Sequence, residues 1–165
     1  MNKSTFTIFE TFVGAGGSHL GFKAENFKSV YVNDVNKDCI KTLLYNNPEL
    51  EKNSYIDTRS ILDINPNQLS KELDYDVKEI DVFFGGIVCK GFSMAGERSP
   101  NDERNFFYNK QIELVETFKP KISIIENVPG IKNAKILSDK VNNKIRKEID
   151  MTWQSLEDFK GKKAE

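Results

Sequence analysis

Cysteine, histidine and tryptophan are scarce in this chain, which has two, one and one of them in 165 residues. Cys39 and Cys89 stand 50 positions apart, a separation that fits neither a zinc site nor a disulfide framework. No metal is therefore expected, and both residues read as thiols of a reducing, cytoplasmic compartment. An excess of one charge is also missing: 24 Lys/Arg against 25 Asp/Glu give a net charge of −1. The division is uneven, with nine basic and six acidic residues in 131–165 and 15 against 19 before them. Neither part has the basic excess of a self-sufficient nucleic-acid binder. Long hydrophobic runs are absent. The N-terminal MNKSTFTIFETFVG breaks its apolar stretch at Glu10 and offers no small-residue cleavage site, so neither a membrane span nor a signal peptide is expected. There is no internal repeat and no low-complexity segment.

What remains, with 38% hydrophobic residues, is the composition of one soluble globular domain. Short apolar runs rich in β-branched and aromatic residues alternate with segments of helical period, the pattern of a parallel α/β sheet. Strands are expected near 6–12, 29–33, 55–57, 80–84 and 121–125, and helices near 18–25, 37–46, 67–73, 105–118 and 137–149. Beyond about Lys132 the pattern decays into a polar tail with no strand signal. The fold class is thus a doubly wound, Rossmann-like α/β sheet that stops early at its C-terminal edge.

Chemistry-bearing residues sit where strands end. FETFVGAGG places a glycine-rich turn between the first strand and the first helix, where backbone N–H groups and a helix N-terminus can approach a polar ligand. From Gly14 it reads G-x-G-G-S-H, so His19 stands where a dinucleotide fingerprint has its last small residue, which argues against NAD. Asp34 closes the second strand 17 positions after Gly17, the place of a ribose-binding carboxylate, and equally of a helix N-cap. FFGGIVCKGFSMAG puts Cys89 in a glycine-flanked loop after the fourth strand. A free thiol, with a pKa of roughly 8.5, needs a neighbouring cation or helix N-terminus to ionise, and Lys90 is adjacent. KISIIENVPG puts Glu126 at the end of the fifth strand, where so apolar a segment predicts burial and a carboxyl able to hold a proton. His19 reads as a surface or capping residue and Cys39 as core packing one turn from Leu43. The 106–110 aromatics and Trp153 read as core rather than base-stacking groups, and the lysines of 140–147 as a solvated helix face.

These segments together resemble the N-terminal half of the DNA cytosine-5 methyltransferase family, from about Phe9 to Ile131, in the family's order and spacing. FVGAGG is similar to its S-adenosylmethionine loop, NDVNKD to its acidic ribose-binding element, and IDTRSI to its third cofactor segment. GGIVCKGFS is similar to its nucleophile loop, DERNFF to its D-x-R-G segment, and ENV to the element carrying its catalytic glutamate. The resemblance implies S-adenosylmethionine as cofactor, held by Phe12, Gly14, Ala15, Gly16, Gly17, Asp34, Val35, Asp57, Thr58 and Val88. It implies Cys89 as nucleophile and Glu126 as the group that grips the base, with Lys90, Ser93, Arg104 and Asn127 near the DNA and a flipped cytosine as substrate. Val88 replaces the family's proline before the nucleophile, Lys90 its glutamine and Asn105 its glycine after the arginine. Nothing resembles the later glutamine–arginine–arginine motif or the target-recognition region. The expectation is a catalytic core over 1–131 and a polar, partly helical tail over 132–165, working with a complementary chain as in a restriction-modification enzyme. An inactive remnant and a non-catalytic S-adenosylmethionine-binding or nucleotide-binding module are the alternatives.

Overall fold

The computed structural model describes residues 5–73, 80–87, 106–133, 138 and 140–161. Five strands, β1 (Phe6–Thr11), β2 (Phe27–Asn33), β3 (Tyr55–Asp57), β4 (Val82–Gly86) and β5 (Ile122–Glu126), form one sheet in the order β3-β2-β1-β4-β5. Every pairing is parallel. The chain runs outward from β1 through β2 to β3, then returns to β4 on the other side of β1. The strand order therefore reverses between β1 and β4, and their carboxyl ends flank the crevice where open α/β sheets bind ligands. Helices α1 (Gly17–Ala24), α2 (Lys37–Asn46), α3 (Leu50–Asn53), α4 (Pro66–Leu73) and α5 (Phe107–Phe118) connect the strands.

A ladder of rings fixes the register. Phe9 pairs with Tyr31 on one side and Phe83 on the other, and Tyr31 pairs with Tyr55. Their rings stack at 4.0, 4.5 and 5.9 Å, and Phe118 of α5 closes on Phe9 at 5.0 Å. Such cross-strand aromatic pairs gain from both burial and ring geometry. Ile61, Ile64, Leu69, Leu114 and Phe118 complete this core. A second core contains Val13, Val32, Ile40, Leu43 and Leu50.

Two connections are tight for identifiable reasons. Asn36 caps α2, its side chain accepting from the backbone N–H groups of Asp38 and Cys39 at 3.0 and 3.2 Å. At Gly85 a Cβ would lie 1.9 Å from Oε1 of the fully buried Gln111, so only glycine lets α5 close on β4.

Most expected elements are present, with displaced ends. β4 begins two residues later than expected and continues through Gly85 and Gly86, because the ladder to β1 and β5 carries it past residues that usually break strands. The expected 137–149 helix is α6 (Asn143–Gly161), which starts later and extends through much of the segment read as a polar tail. Its stripe of Ile145, Ile149, Trp153 and Leu156 sustains helical period among the charges. By compactness the chain divides into residues 1–87 with 107–126, holding the whole sheet, and residues 88–106 with 127–165, holding α6. Among the described residues no helix is long and apolar enough to cross a membrane.

Candidate active site

The glycine-rich turn leaves β1 through three left-handed residues: Phe12 (φ 55°), Gly14 (φ 55°) and Gly16 (φ 99°). For Phe12 that conformation is strained, and it persists only where neighbours over-determine it. Val13 N–H donates to the carbonyl of Asn33 at 3.1 Å, Gly16 N–H to that of Val13 at 3.1 Å, and the Phe12 ring packs on Phe107 with centroids 5.5 Å apart. A Cβ at Gly16 would strike Leu43 Cδ1 at 2.6 Å, whereas Gly14 and Gly17 have nothing within 4 Å of theirs among the described residues. The turn is thus held from beneath by Leu43 and open above Gly14 and Gly17, with Ala15 exposed. Among the described residues no side chain caps α1, so its first N–H groups are available to a polar ligand.

Asp34 joins this turn directly. Its Oδ2 accepts from Gly14 N–H at 2.8 Å and its Oδ1 from Asn36 N–H at 2.9 Å. The cap of α2 is Asn36, not Asp34, which removes the capping reading. Each carboxylate oxygen keeps acceptor capacity, as ribose hydroxyls require. Val35 beside it is 65% exposed, an apolar side chain at the rim with no packing role. The backbone N–H of Asp34 donates to the carbonyl of Asp57 at 3.2 Å, tying the ends of β2 and β3.

Asp57 is buried, and both its oxygens are engaged. Arg59 donates to them from its backbone N–H at 2.9 Å and from its guanidinium at 2.7–3.0 Å, and Tyr31 Oη donates at 2.9 Å. Burial pushes the Asp57 carboxyl up, but the Arg59 and Tyr31 hydrogen bonds outweigh it and hold the group below the usual carboxylate range. Burial, and then Asp57, raise the Tyr31 phenol. Arg59 also bonds Glu72 at 3.0 Å, and Thr58 is half-buried beside this pair.

Glu126 ends β5 opposite Gly86. An ideal Cβ at Gly86 would lie 4.0 Å from Glu126 Oε2 and 3.8 Å from the Phe12 carbonyl oxygen, so the ends of β1, β4 and β5 converge on one small region. Glu126 is exposed, contrary to the burial expected from ISII, because every residue of β5 is exposed at the sheet edge. Asn127 is half-buried, its Oδ1 accepting from Val128 N–H at 2.8 Å and its Nδ2 buried with no partner among the described residues. Val88, Cys89, Lys90, Ser93 and Arg104 lie outside the described residues. Among the described residues no cluster of three or more His, Cys, Asp or Glu could hold a metal.

The expectation for His19 is overturned. It is 3% exposed, and its Nδ1 lies 2.8 Å from Oε2 of the fully buried Glu10, which also accepts from Ser29 Oγ at 2.6 Å. The sequence shows Glu10 only as a break in an apolar run, since both its partners come from other elements. Arg59 was likewise legible only as a neighbour of Asp57. Cys39, expected in the core, is half-buried on α2.

The family model for C-5 cytosine-specific DNA methylases matches residues 6–154. The Type II methyltransferase M.AgeI of Thalassovita gelatinovora is 35% identical over 122 residues, which are 74% of this chain and 28% of that protein. M.AquIA of Picosynechococcus is 29% identical over 81% of this chain and 51% of that shorter relative. A prophage-encoded E. coli protein, assigned as a DNA modification methyltransferase and known by crystal structure, superposes with a TM-score of 0.63 at 26% identity, over 87% of this chain and 36% of that one. The chain therefore spans well under half of M.AgeI and of the E. coli protein. With the family model reaching from the first strand well into α6, the chain belongs to the C-5 cytosine-specific DNA methylases, enzymes whose methyl donor is S-adenosylmethionine.

Proposed function

We propose that this chain supplies the cofactor pocket and the nucleophile of a DNA cytosine-5 methyltransferase of restriction-modification type, acting in the cytoplasm. The observation that carries the reading is the convergence of the glycine-rich turn, Gly86 and Glu126 at the strand-order reversal, in a chain of this family. S-adenosylmethionine fits the pocket: Gly14 and Gly17 leave room, Asp34 retains acceptor capacity for ribose hydroxyls, and exposed Val35 offers an apolar contact to the adenine. Phe12, Ala15, Gly16 and Thr58 are proposed to frame it, and Val88, outside the described residues, is proposed as a further contact. Asp57 serves the adenine only while sharing its carboxylate with Arg59.

When bound, the cofactor provides an electrophilic methyl group on sulfur. The chain's residues make the cytosine a nucleophile. In a flipped-out base, the Cys89 thiolate forms a bond to C6, and the electron pair of the C5–C6 double bond shifts toward C5. Glu126 holds N4 and the protonated N3, which stabilises that pair. C5 would then bond the methyl group as the methyl–sulfur bond breaks to leave S-adenosylhomocysteine, and passage of the C5 proton to water would restore the C5–C6 double bond with breakage of the C6–S bond and release of the thiolate. Covalent addition divides one difficult step into two easier ones. Lys90, Ser93, Arg104 and Asn127 are proposed to lie near the DNA.

A complementary chain carrying target recognition belongs to this reading. Among the described residues β5 is an edge strand, and Ile122, Ile124 and Ile125 are 56%, 40% and 41% exposed, an apolar edge of the kind stable monomers cover. Residues 1–131 are proposed as the catalytic core and 132–165 as an appended helical tail. The test is trapping on DNA bearing 5-fluorocytosine, where fluorine at C5 blocks release of the thiol. The chain co-expressed with such a partner is expected to form the adduct through Cys89, with no adduct in Cys89→Ser and an unchanged one in Cys39→Ser. An adduct that survives Cys89→Ser would overturn the assignment.

A further inference from the structure

Glu10 and His19 flank the glycine-rich turn, one at the end of β1 and one in the first turn of α1, and they meet beneath it. Glu10 is fully buried and His19 nearly so. Because Glu10 Oε2 is a carboxylate oxygen already accepting from Ser29, Nδ1 of His19 is the donor in the 2.8 Å contact. The three side chains thus join β1, α1 and β2 around a turn that contains three left-handed residues. Burying a carboxylate is costly unless it is paired and hydrogen-bonded. Glu10 Oε1 and His19 Nε2 nevertheless have no partner among the described residues. An apolar pair would seal this position more cheaply, so the cost falls on a contact that stability alone does not require.

We propose that His19 is a positioning residue for the cofactor: through Glu10 and Ser29 it sets the angle at which α1 leaves β1, and with it the direction of the free N–H groups at Gly17 and Ser18. The inference rests on the cofactor reading above. It also explains how a turn with a left-handed Phe12 holds one shape. Leu43 supports the turn at Gly16 and Asp34 at Gly14, but neither connects the strand that enters to the helix that leaves.

Because His19 is the only histidine, imidazole nitrogen signals in an NMR spectrum of the whole chain report it alone. The wild-type protein should show the Nδ1–H tautomer, and saturating S-adenosylhomocysteine should shift both ring nitrogens. His19→Leu should weaken S-adenosylhomocysteine binding about tenfold, roughly the effect of one hydrogen-bonded constraint, while His19→Gln, whose amide can donate to Glu10, stays within about threefold of wild type. Ring signals that ignore the ligand, or a His19→Leu protein that melts earlier yet binds with wild-type affinity, would reduce the contact to a structural one. If the wild-type chain binds no S-adenosylhomocysteine, the cofactor reading fails by itself. The positioning claim is then read from the Gly14, Gly16 and Gly17 amide shifts, which must move in His19→Leu and recover in His19→Gln, and are unmoved if the claim is wrong. Should His19→Leu not fold, the wild-type titration decides.

Discussion

An inner strand on one flank of the sheet and the outer strand on the other are built from similar sequence and end in opposite states. On one flank, residues 29–33 of β2 are buried on both faces, with Tyr31 stacked between Phe9 and Tyr55. On the other, ISIIE of β5 is exposed at every residue. β-branched and aromatic composition makes both segments strands, but coverage is decided by elements distant in the chain. The covered flank holds the pieces read as cofactor pocket, and the bare flank carries Glu126 on a strand with no outer neighbour among the described residues. On the proposed reading, ligand binding and completion of the site fall to different parts of one sheet.

Several changes would break or sharpen that contrast. The largest effect is expected on the covered side, where Phe9→Ala removes the centre of the ring ladder and should cost about 3–5 kcal/mol in urea unfolding. A value near that of a surface substitution would mean the ladder is not the core. Next comes Arg59→Ala, which strips Asp57 of its cation and should cost about 2–3 kcal/mol, below a fully buried pair because Arg59 is partly exposed. Its unfolding midpoint, compared with Arg59→Lys, checks this. The two lowered aspartates set the acid limit. At Asp81, the hydrogen bond from Lys121 and then that from the Thr7 backbone outweigh burial and hold the carboxyl down, as Arg59 does at Asp57. Groups whose folded pKa is depressed stabilise above their unfolded value of about 3.9 and lose that contribution as pH falls through the folded one. The contribution of these two aspartates should therefore be lost below about pH 4, with a shallower fall in Asp81→Asn; an equally steep fall there would remove Asp81 from the account. The smallest effect belongs to the bare flank, where Ile124→Ser should change monomer stability by within about 0.5 kcal/mol. Light scattering should meanwhile show less self-association, and a large loss of stability would mean that β5 is covered after all.

Much of this was legible because it is local. The 37–46 helix and the 55–57 strand are found at the expected residues, the first fixed by its Asn36 cap and apolar spacing, the second by the turn signals around it. Order along the chain also placed the glycine turn, Asp34 and Glu126 at strand carboxyl ends. What sequence did not show depends on partners far away. His19 looked like a surface residue because Glu10 and Ser29 belong to other elements, and Glu126 looked buried because an apolar strand implies a neighbour. The short α3 lies in PELEKN, too brief for any period to register.

The central claim is that S-adenosylmethionine sits on the covered flank, against Asp34 and the glycine turn. Titration calorimetry of the chain with S-adenosylmethionine tests it most directly, run on wild type and on Asp34→Ala. The account predicts measurable binding by the wild type and a loss of roughly 1.5–3 kcal/mol in the variant, the range for a charged hydrogen bond. Equal affinities in the two proteins, or no binding by a folded wild-type chain, would contradict it.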